Sequence, residues 1–320
     1  MFLIVSVQLL VPLLLIALLA TGRGTARTLL PRLAVVTLYL FAIHALGLWT
    51  RVPGWTPWVL AALALGAAAR ARSRAGAARL PRAVQRIADP AVFVVVAAIG
   101  LWGGAEAILA RRPPPAAVVD LAWPLVAGVY AVANGGSRLI ANAHLKTLDT
   151  RVARYATWRG QSYALDIVGV DSWGRVSDGL WPADPARYAI FGRRVLAPCD
   201  GRVVASGNDA PDMPVPRLDP DRRLGNYVIL ECGDAHVLLA HLRQGSVTAA
   251  AGDRVRTGDV LGVVGNSGNS DEPHLHIHVQ RPGTPDAPIA AEPLALRLAG
   301  RFPVRNDILR VPTSALPRQD

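Results

Sequence analysis

The stretch NSGNSDEPHLHIHVQ, residues 266–280, sets three of the chain's seven histidines at every second position, His274, His276 and His278, with Leu275, Ile277 and Val279 between them. Side chains on a β-strand alternate with period two. The pattern predicts a strand with an apolar face for a core and a histidine face for a groove or the surface. Turn residues crowd the run before it, and Pro273 holds the chain extended as the strand begins. Imidazole is the commonest metal ligand and titrates near neutral pH, so three on one face point to metal or acid/base chemistry. Such a site needs groups from elsewhere in the chain as well.

Upstream, short Val/Ile/Leu/Tyr runs lie between Gly, Asp and Asn turns: SYALDIVGV, GRRVLAPCDGRVVASG, NYVILECG and HVLLAHL. AGDRVRTGDVLGVVGNSG is punctuated by glycine every few residues. This spacing predicts an all-β sandwich or barrel. GRRVLAPCDGRVV is expected to form a core hairpin. VVDLAWPLVAGVYAVANGG (118–136) is apolar but broken by Pro124 and glycines, and reads as strand, turn and strand. No P-loop or dinucleotide fingerprint occurs.

The first 110 residues have a different composition. Of the 320 residues, 52% are hydrophobic, and the apolar ones crowd into this part. Four stretches, about 1–20, 33–49, 55–69 and 90–110, read as transmembrane helices. RRPPP opens a short stiff linker over 111–117. The β-domain is expected over 118–292, followed by an aperiodic tail over 293–320. The first helix lacks the positive n-region of a signal peptide and reads as uncleaved. Arg23, Arg27 and Arg32 follow it, and six arginines from Arg70 to Arg86 follow the third, against Arg51 alone between the second and third. Basic loops stay cytoplasmic. The β-domain is then extracytoplasmic, on a multi-pass protein of the bacterial cell membrane. Most of the +11 net charge sits in these loops: residues 1–110 carry +8 and the rest +3. No basic stripe with interleaved aromatics marks a nucleic-acid surface. Cys199 and Cys232 are either a disulfide, fitting that compartment, or two buried thiols.

QSYALDIVG with Asp166, VLLAHLRQGSV with His241, GDRVRTGDVLGVVGNSG and the HLH of 274–276 together resemble the lysostaphin-type (LytM-like) zinc metallopeptidases, which cut peptides of bacterial peptidoglycan. The resemblance covers roughly residues 120–290. It implies a small antiparallel β-domain with a groove, sandwich- or barrel-like, built on a duplicated hybrid motif. It also implies Zn²⁺ on Asp166 and His276, with His241 and His274 as catalytic histidines beside the metal. A three-ligand zinc with an open position suits peptide hydrolysis. A cleft with few charged residues would suit short peptides.

The family commonly has a histidine four residues before the ligand aspartate, and here that residue is Ser162. Either the site is degenerate, leaving a module that binds cell wall or regulates other hydrolases, or the third ligand is upstream. His144 in NGGSRLIANAHLKTL is the candidate, because some branches pair an upstream Asn-x-His with a YALD segment, as Asn142 and His144 do here. His278 stands where the family often has an acidic residue, and is expected to orient a neighbour. His236 and Glu272 read as solvated. GDRVRTGDVLG also resembles the turns of biotinyl and lipoyl domains, but those need a modifiable lysine and Lys146 is the only lysine. Any partner in the cell-wall machinery is unmarked by a motif.

Overall fold

In the computed structural model, which describes residues 6–21, 26–50, 52–73 and 90–312, the histidine-rich run is strand β10, Leu275–Gln280. The described residues fall into two units, one of the residues up to Trp49 together with Gly54–Leu109, the other of Thr50–Pro53 together with the residues from Ala110 onward.

The first unit is helical, with α1 Val11–Thr21, α2 Ala26–Leu46, α3 Thr56–Ser73 and α4 Pro90–Ala110. Of the four expected membrane crossings, two are borne out by length and composition among the described residues, through Leu29–Leu46 of α2 and Val92–Ala110 of α4. The apolar helix at Ser6–Ala20 is shorter, and α3 ends on Arg70 and Arg72. Small residues let α2 and α4 approach closely: a Cβ at Gly100 would meet Leu38 and Tyr39, and one at Gly103 would meet Ala42. Of the arginines that set the expected orientation, Arg23, Arg51, Arg74, Arg79, Arg82 and Arg86 lie outside the described residues.

The second unit is built on one large sheet. It runs β12-β2-β3-β10-β7-β6-β5-β8, with β11 beside β10 and β1 beside β11. The site depends on β2 (Gly128–Asn134), β3 (Leu165–Gly169), β6 (Asn226–Cys232), β7 (Ala235–Leu242) and β10. All these pairings are antiparallel. A separate ribbon, β4 (Arg194–Leu196) with β9 (Val260–Val263), completes the strand set. The domain is thus one broad sheet and a ribbon, not a sandwich of two comparable sheets or a closed barrel. β1 (Val118–Leu121) pairs with β11 (Pro293–Leu298) in parallel, so the sheet is not wholly antiparallel.

Alternation decides which side chains face the core. Leu275, Ile277 and Val279 of β10 are buried with Leu165 and Ile167 of β3 and with Val237 and Leu239 of β7. β10 lies between β3 and β7, so His276 stands beside Asp166 on one side and Ala240 on the other. The core face of β10 fixes its register, because a slip of one residue would turn the histidines inward.

Two expectations from the sequence fail by long-range pairing. The run 293–320 is not all tail: β11 pairs with β10, and β12 (Ile308–Val311) adds to the sheet edge beside β2. Both strands are short and find partners far away in sequence, so local periodicity is weak. Residues 313–320 lie outside the described residues. GRRVLAPCDGRVV is not a hairpin either, since β4 pairs with β9 while β5 (Gly201–Gly207) pairs with β6 and β8 (Arg254–Val255). Cys199 and Cys232 form a disulfide, which closes the alternative left open above.

Candidate metal centre

Asp166 lies on the face of β3 opposite Leu165 and Ile167, and it is 8% exposed. Its carboxylate gathers the histidines. Its Oδ1 is 3.0 Å from His276 Nδ1 and 3.5 Å from His274 Nε2, and its Oδ2 is 3.6 Å from His144 Nε2. Asn134, opposite Asp166 on β2, donates from Nδ2 to Oδ2 at 2.8 Å. Arg305 donates to Asn134 Oδ1 at 2.7 Å and to Ala141 O at 2.9 Å. Burial alone would raise the Asp166 pKa, but His144, His274 and His276 outweigh it and hold the carboxyl well below its usual range.

His144 sits in the 3-10 turn Ala143–Leu148. Asn142 caps that turn. Its Nδ2 donates to the carbonyls of Gly136 and Ala164, which fixes the amide, so Oδ1 accepts from His144 Nδ1 at 3.0 Å. The proton on Nδ1 leaves the Nε2 lone pair toward Asp166. Ser162 is wholly buried and stands behind this turn. Its Oγ is 2.8 Å from Thr147 Oγ1, which donates to His144 O at 2.8 Å. The residue that departs from the family pattern thus supports the element carrying His144.

The path of His241 is the least expected feature. Alternation along β7 would put it with Val237 and Leu239, in the core. Between β6 and β7, however, Tyr227 pairs with Ala240 and Asn226 with Leu242, so His241 is skipped. It is a bulge residue with φ 63°. A bulge re-aims a side chain, and here the His241 ring comes to 4.8 Å from that of His274 and 5.7 Å from that of His276, centroid to centroid. Asn226 stabilises the distortion: its Nδ2 donates to Leu242 O and Ala210 O, and its Oδ1 accepts from Ala210 N. Gly225, at φ 60°, packs so tightly on Ser267 that a Cβ would overlap its Oγ.

The remaining proton positions follow from the acceptors. His241 Nδ1 donates to Ser267 O at 2.9 Å, and His274 Nδ1 to Glu272 O at 2.8 Å. His241, held neutral by burial, keeps its Nε2 lone pair. Burial pushes His144 down to about 4 and His241 well below the ordinary imidazole value, so both are neutral near pH 7. Glu272 and His236 are buried, not solvated.

Two groups of ligand atoms lie within 4.8 Å of one another: His144, Asp166 and His276, and His241, His274 and His276. A divalent cation favours the group with the carboxylate, because the anion offsets its charge and a two-His, one-carboxylate set suits zinc. A buried relay tests the fit. His276 Nε2 is 3.1 Å from His278 Nδ1, and His278 is 1% exposed, so it does not line the groove as the alternation suggested. His278 Nε2 and Gln280 Oε1 are both buried without a hydrogen bond. Gln280 adjoins His278, and its Nε2 donates to Pro288 O at 2.7 Å. With a cation on His276 Nδ1, Nε2–H donates to His278 Nδ1. His278 then carries its proton on Nε2, on the side of the free Gln280 acceptor. The donor set therefore fits a metal. Gly160 has to be glycine, since a Cβ there would overlap Gln280 Oε1.

These five residues share an open groove of about 190 Å³ with Lys146, Trp158, Arg223 and Asp271. The groove thus carries charge of both signs. Asn134, Arg305, Trp158 and Arg223 escaped sequence reasoning because they reach the site from separate segments.

Residues 187–288 match the family model described as Peptidase family M23. That stretch of the C-terminal domain is similar to the M23 family. The match includes His241, His274 and His276, and begins after His144 and Asp166, which the fold brings in. M23 peptidases are zinc-dependent, and the residues described above could hold the ion. Endolysin 2638A of Staphylococcus phage 2638A is 39% identical over 57 residues, which are 18% of this chain and 12% of the endolysin. The chain thus spans about an eighth of that relative's length. Among solved structures, the catalytic domain of lysostaphin from Staphylococcus simulans is 19% identical over 38% of this chain and 77% of its own, with a TM-score of 0.24. A putative M23 peptidase from Pseudomonas aeruginosa is 18% identical over 48% of this chain and 60% of its own, with a TM-score of 0.24. The SpoIIIAH–SpoIIQ complex contains a chain 19% identical over 50% of this one and 92% of its own, with a TM-score of 0.30.

Proposed function

We propose that this protein is a membrane-anchored zinc endopeptidase acting outside the cytoplasm on peptide bonds of peptidoglycan. The observation that carries the reading is the convergence of His144, Asp166 and His276 with His241 and His274 in one groove. His144, Asp166 and His276 hold the zinc. Zinc there supplies Lewis acidity toward a peptide carbonyl and makes water a stronger acid. His241 presents an unprotonated Nε2, with its Nδ1 proton held by the Ser267 carbonyl, and the His274 ring is oriented by the Glu272 carbonyl on its Nδ1. One can take a proton from attacking water, and in its protonated form return it to the leaving amine or steady the oxyanion. The α2 and α4 helices anchor the chain, with further crossings by α1 and α3. The arginine-rich loops set the orientation, and the disulfide fits an oxidising compartment.

The test uses the full-length protein in detergent, with zinc measured by elemental analysis and purified peptidoglycan as substrate. About one zinc per chain and released muropeptides are expected. D166A and H276A should lose zinc, whereas H241A should keep zinc and lose hydrolysis. A chain that takes up no zinc after supplementation sinks the peptidase reading in favour of a binding or regulatory module, the alternative raised by Ser162.

A further inference from the structure

The groove carries positive charge that the proposed chemistry does not use. Lys146 lies in the same short turn as His144, two residues on, and lines the groove with its side chain exposed. Arg223 lines it too, from the loop before β6. Among the described residues, no carboxylate forms an ion pair with either. Arg223 is nonetheless held in place. Its guanidinium carbon lies 3.7 Å from the centroid of the Trp158 ring, and its backbone oxygen accepts from Asn269 N at 3.0 Å. Stacking orders the guanidinium while leaving its N–H edges free, an arrangement suited to bidentate contact with a carboxylate. Of the groove's acidic residues, Asp166 is engaged by the histidines and Asn134, and Asp271 sits on the loop before β10.

We infer that Lys146 and the Arg223–Trp158 stack form a recognition site for a free carboxylate on the peptide that enters the groove. This deepens the peptidase reading by naming a substrate class, peptides with an unmodified carboxyl group beside the bond that is cut. The pair sets specificity and takes no part in the bond chemistry. Charge-assisted hydrogen bonds to one carboxylate favour it about tenfold over the uncharged amide.

The experiment measures binding to the metal-free full-length protein in detergent, so that it does not depend on hydrolysis. The probes are a fluorescein-labelled peptidoglycan stem tetrapeptide with free carboxyl groups and the same peptide with them amidated, followed by fluorescence anisotropy. The acid form should bind about tenfold more tightly. K146Q and R223Q should each reduce that preference, the double variant should abolish it, and R223K should retain part of it through charge alone. W158L should weaken it by releasing the Arg223 guanidinium, with the charge unchanged. Equal affinity for the two peptides, no binding of either, or a preference that survives K146Q/R223Q overturns the inference. Loss of preference with cleavage and zinc intact leaves the peptidase reading standing. Retained preference in a protein that neither takes up zinc nor cleaves overturns that reading alone.

Discussion

His278 does not line the groove, yet its Nδ1, 3.1 Å from His276 Nε2, can accept that nitrogen's proton when a metal takes His276 Nδ1. Partners of this kind typically contribute about 10- to 100-fold in metal affinity. H278A should weaken zinc by a factor in that range, read by competition with a chromogenic chelator, whereas H278Q can preserve an acceptor and should lose less. Equal affinities in both variants and the unaltered protein would remove the relay from the account. Protonation at neighbouring residues has a consequence for stability. Burial lowers the pKa values of His144, to about 4, and of His241 and His278, from an ordinary 6.5. In the metal-free protein the unfolded chain takes up protons below 6.5 that the folded chain refuses. The stability these groups contribute is full above that value, and is lost as the pH falls through their lowered values. The urea midpoint of chelator-treated protein should therefore drop between pH 7.5 and pH 5, and a flat profile would contradict the burial of these imidazoles as neutral groups.

At the scale of elements, what the sequence discloses depends on whether a strand obeys its own period. β10 does: Leu275, Ile277 and Val279 enter the core and His276 meets Asp166, as alternation alone leads one to expect. β7 does not. Val237 and Leu239 are core residues, but the bulge turns His241 away from them. Nothing in HVLLAHL signals the extra residue, because its causes lie in Asn226, Gly225 and Ser267 on other segments. His144 could be named from its motif, yet its support by Thr147 and Ser162 depends on a contact that spacing does not show. Arg305 was hidden for the same reason, in a run whose strands pair only with distant partners. The bulge gives a direct test. N226A removes a fully buried side chain that satisfies Ala210 N and Ala210 O and shares Leu242 O with Ser267 Oγ. Leaving such groups unpaired costs about 2–3 kcal/mol. Denaturant unfolding of N226A should show a loss of that size, and hydrolysis should fall further than zinc content does, since His241 is displaced while Asp166 and His276 remain. Equal losses of zinc and hydrolysis would mean that the bulge does not act through His241.

Across the whole molecule, compartment and stability meet at Cys199 and Cys232. The disulfide joins the turn before β5 to the end of β6, spanning 33 residues of chain. Closing a loop of that length restricts the unfolded chain by about 3–4 kcal/mol in the chain-entropy account. The pairing survives only where the surroundings are oxidising. The same bond therefore reports on which side of the membrane the β-domain faces, independently of the arginines that set the expected orientation. In intact cells, a thiol-reactive maleimide should leave both cysteines unlabelled, and should label both once the protein is denatured and reduced. The C199S/C232S protein should unfold at a lower urea concentration by about 3–4 kcal/mol of stability, provided the variants are compared at the same pH. Labelling without reduction would place the domain in a reducing compartment. The orientation would then reverse and peptidoglycan would be out of reach, even with every histidine where it stands.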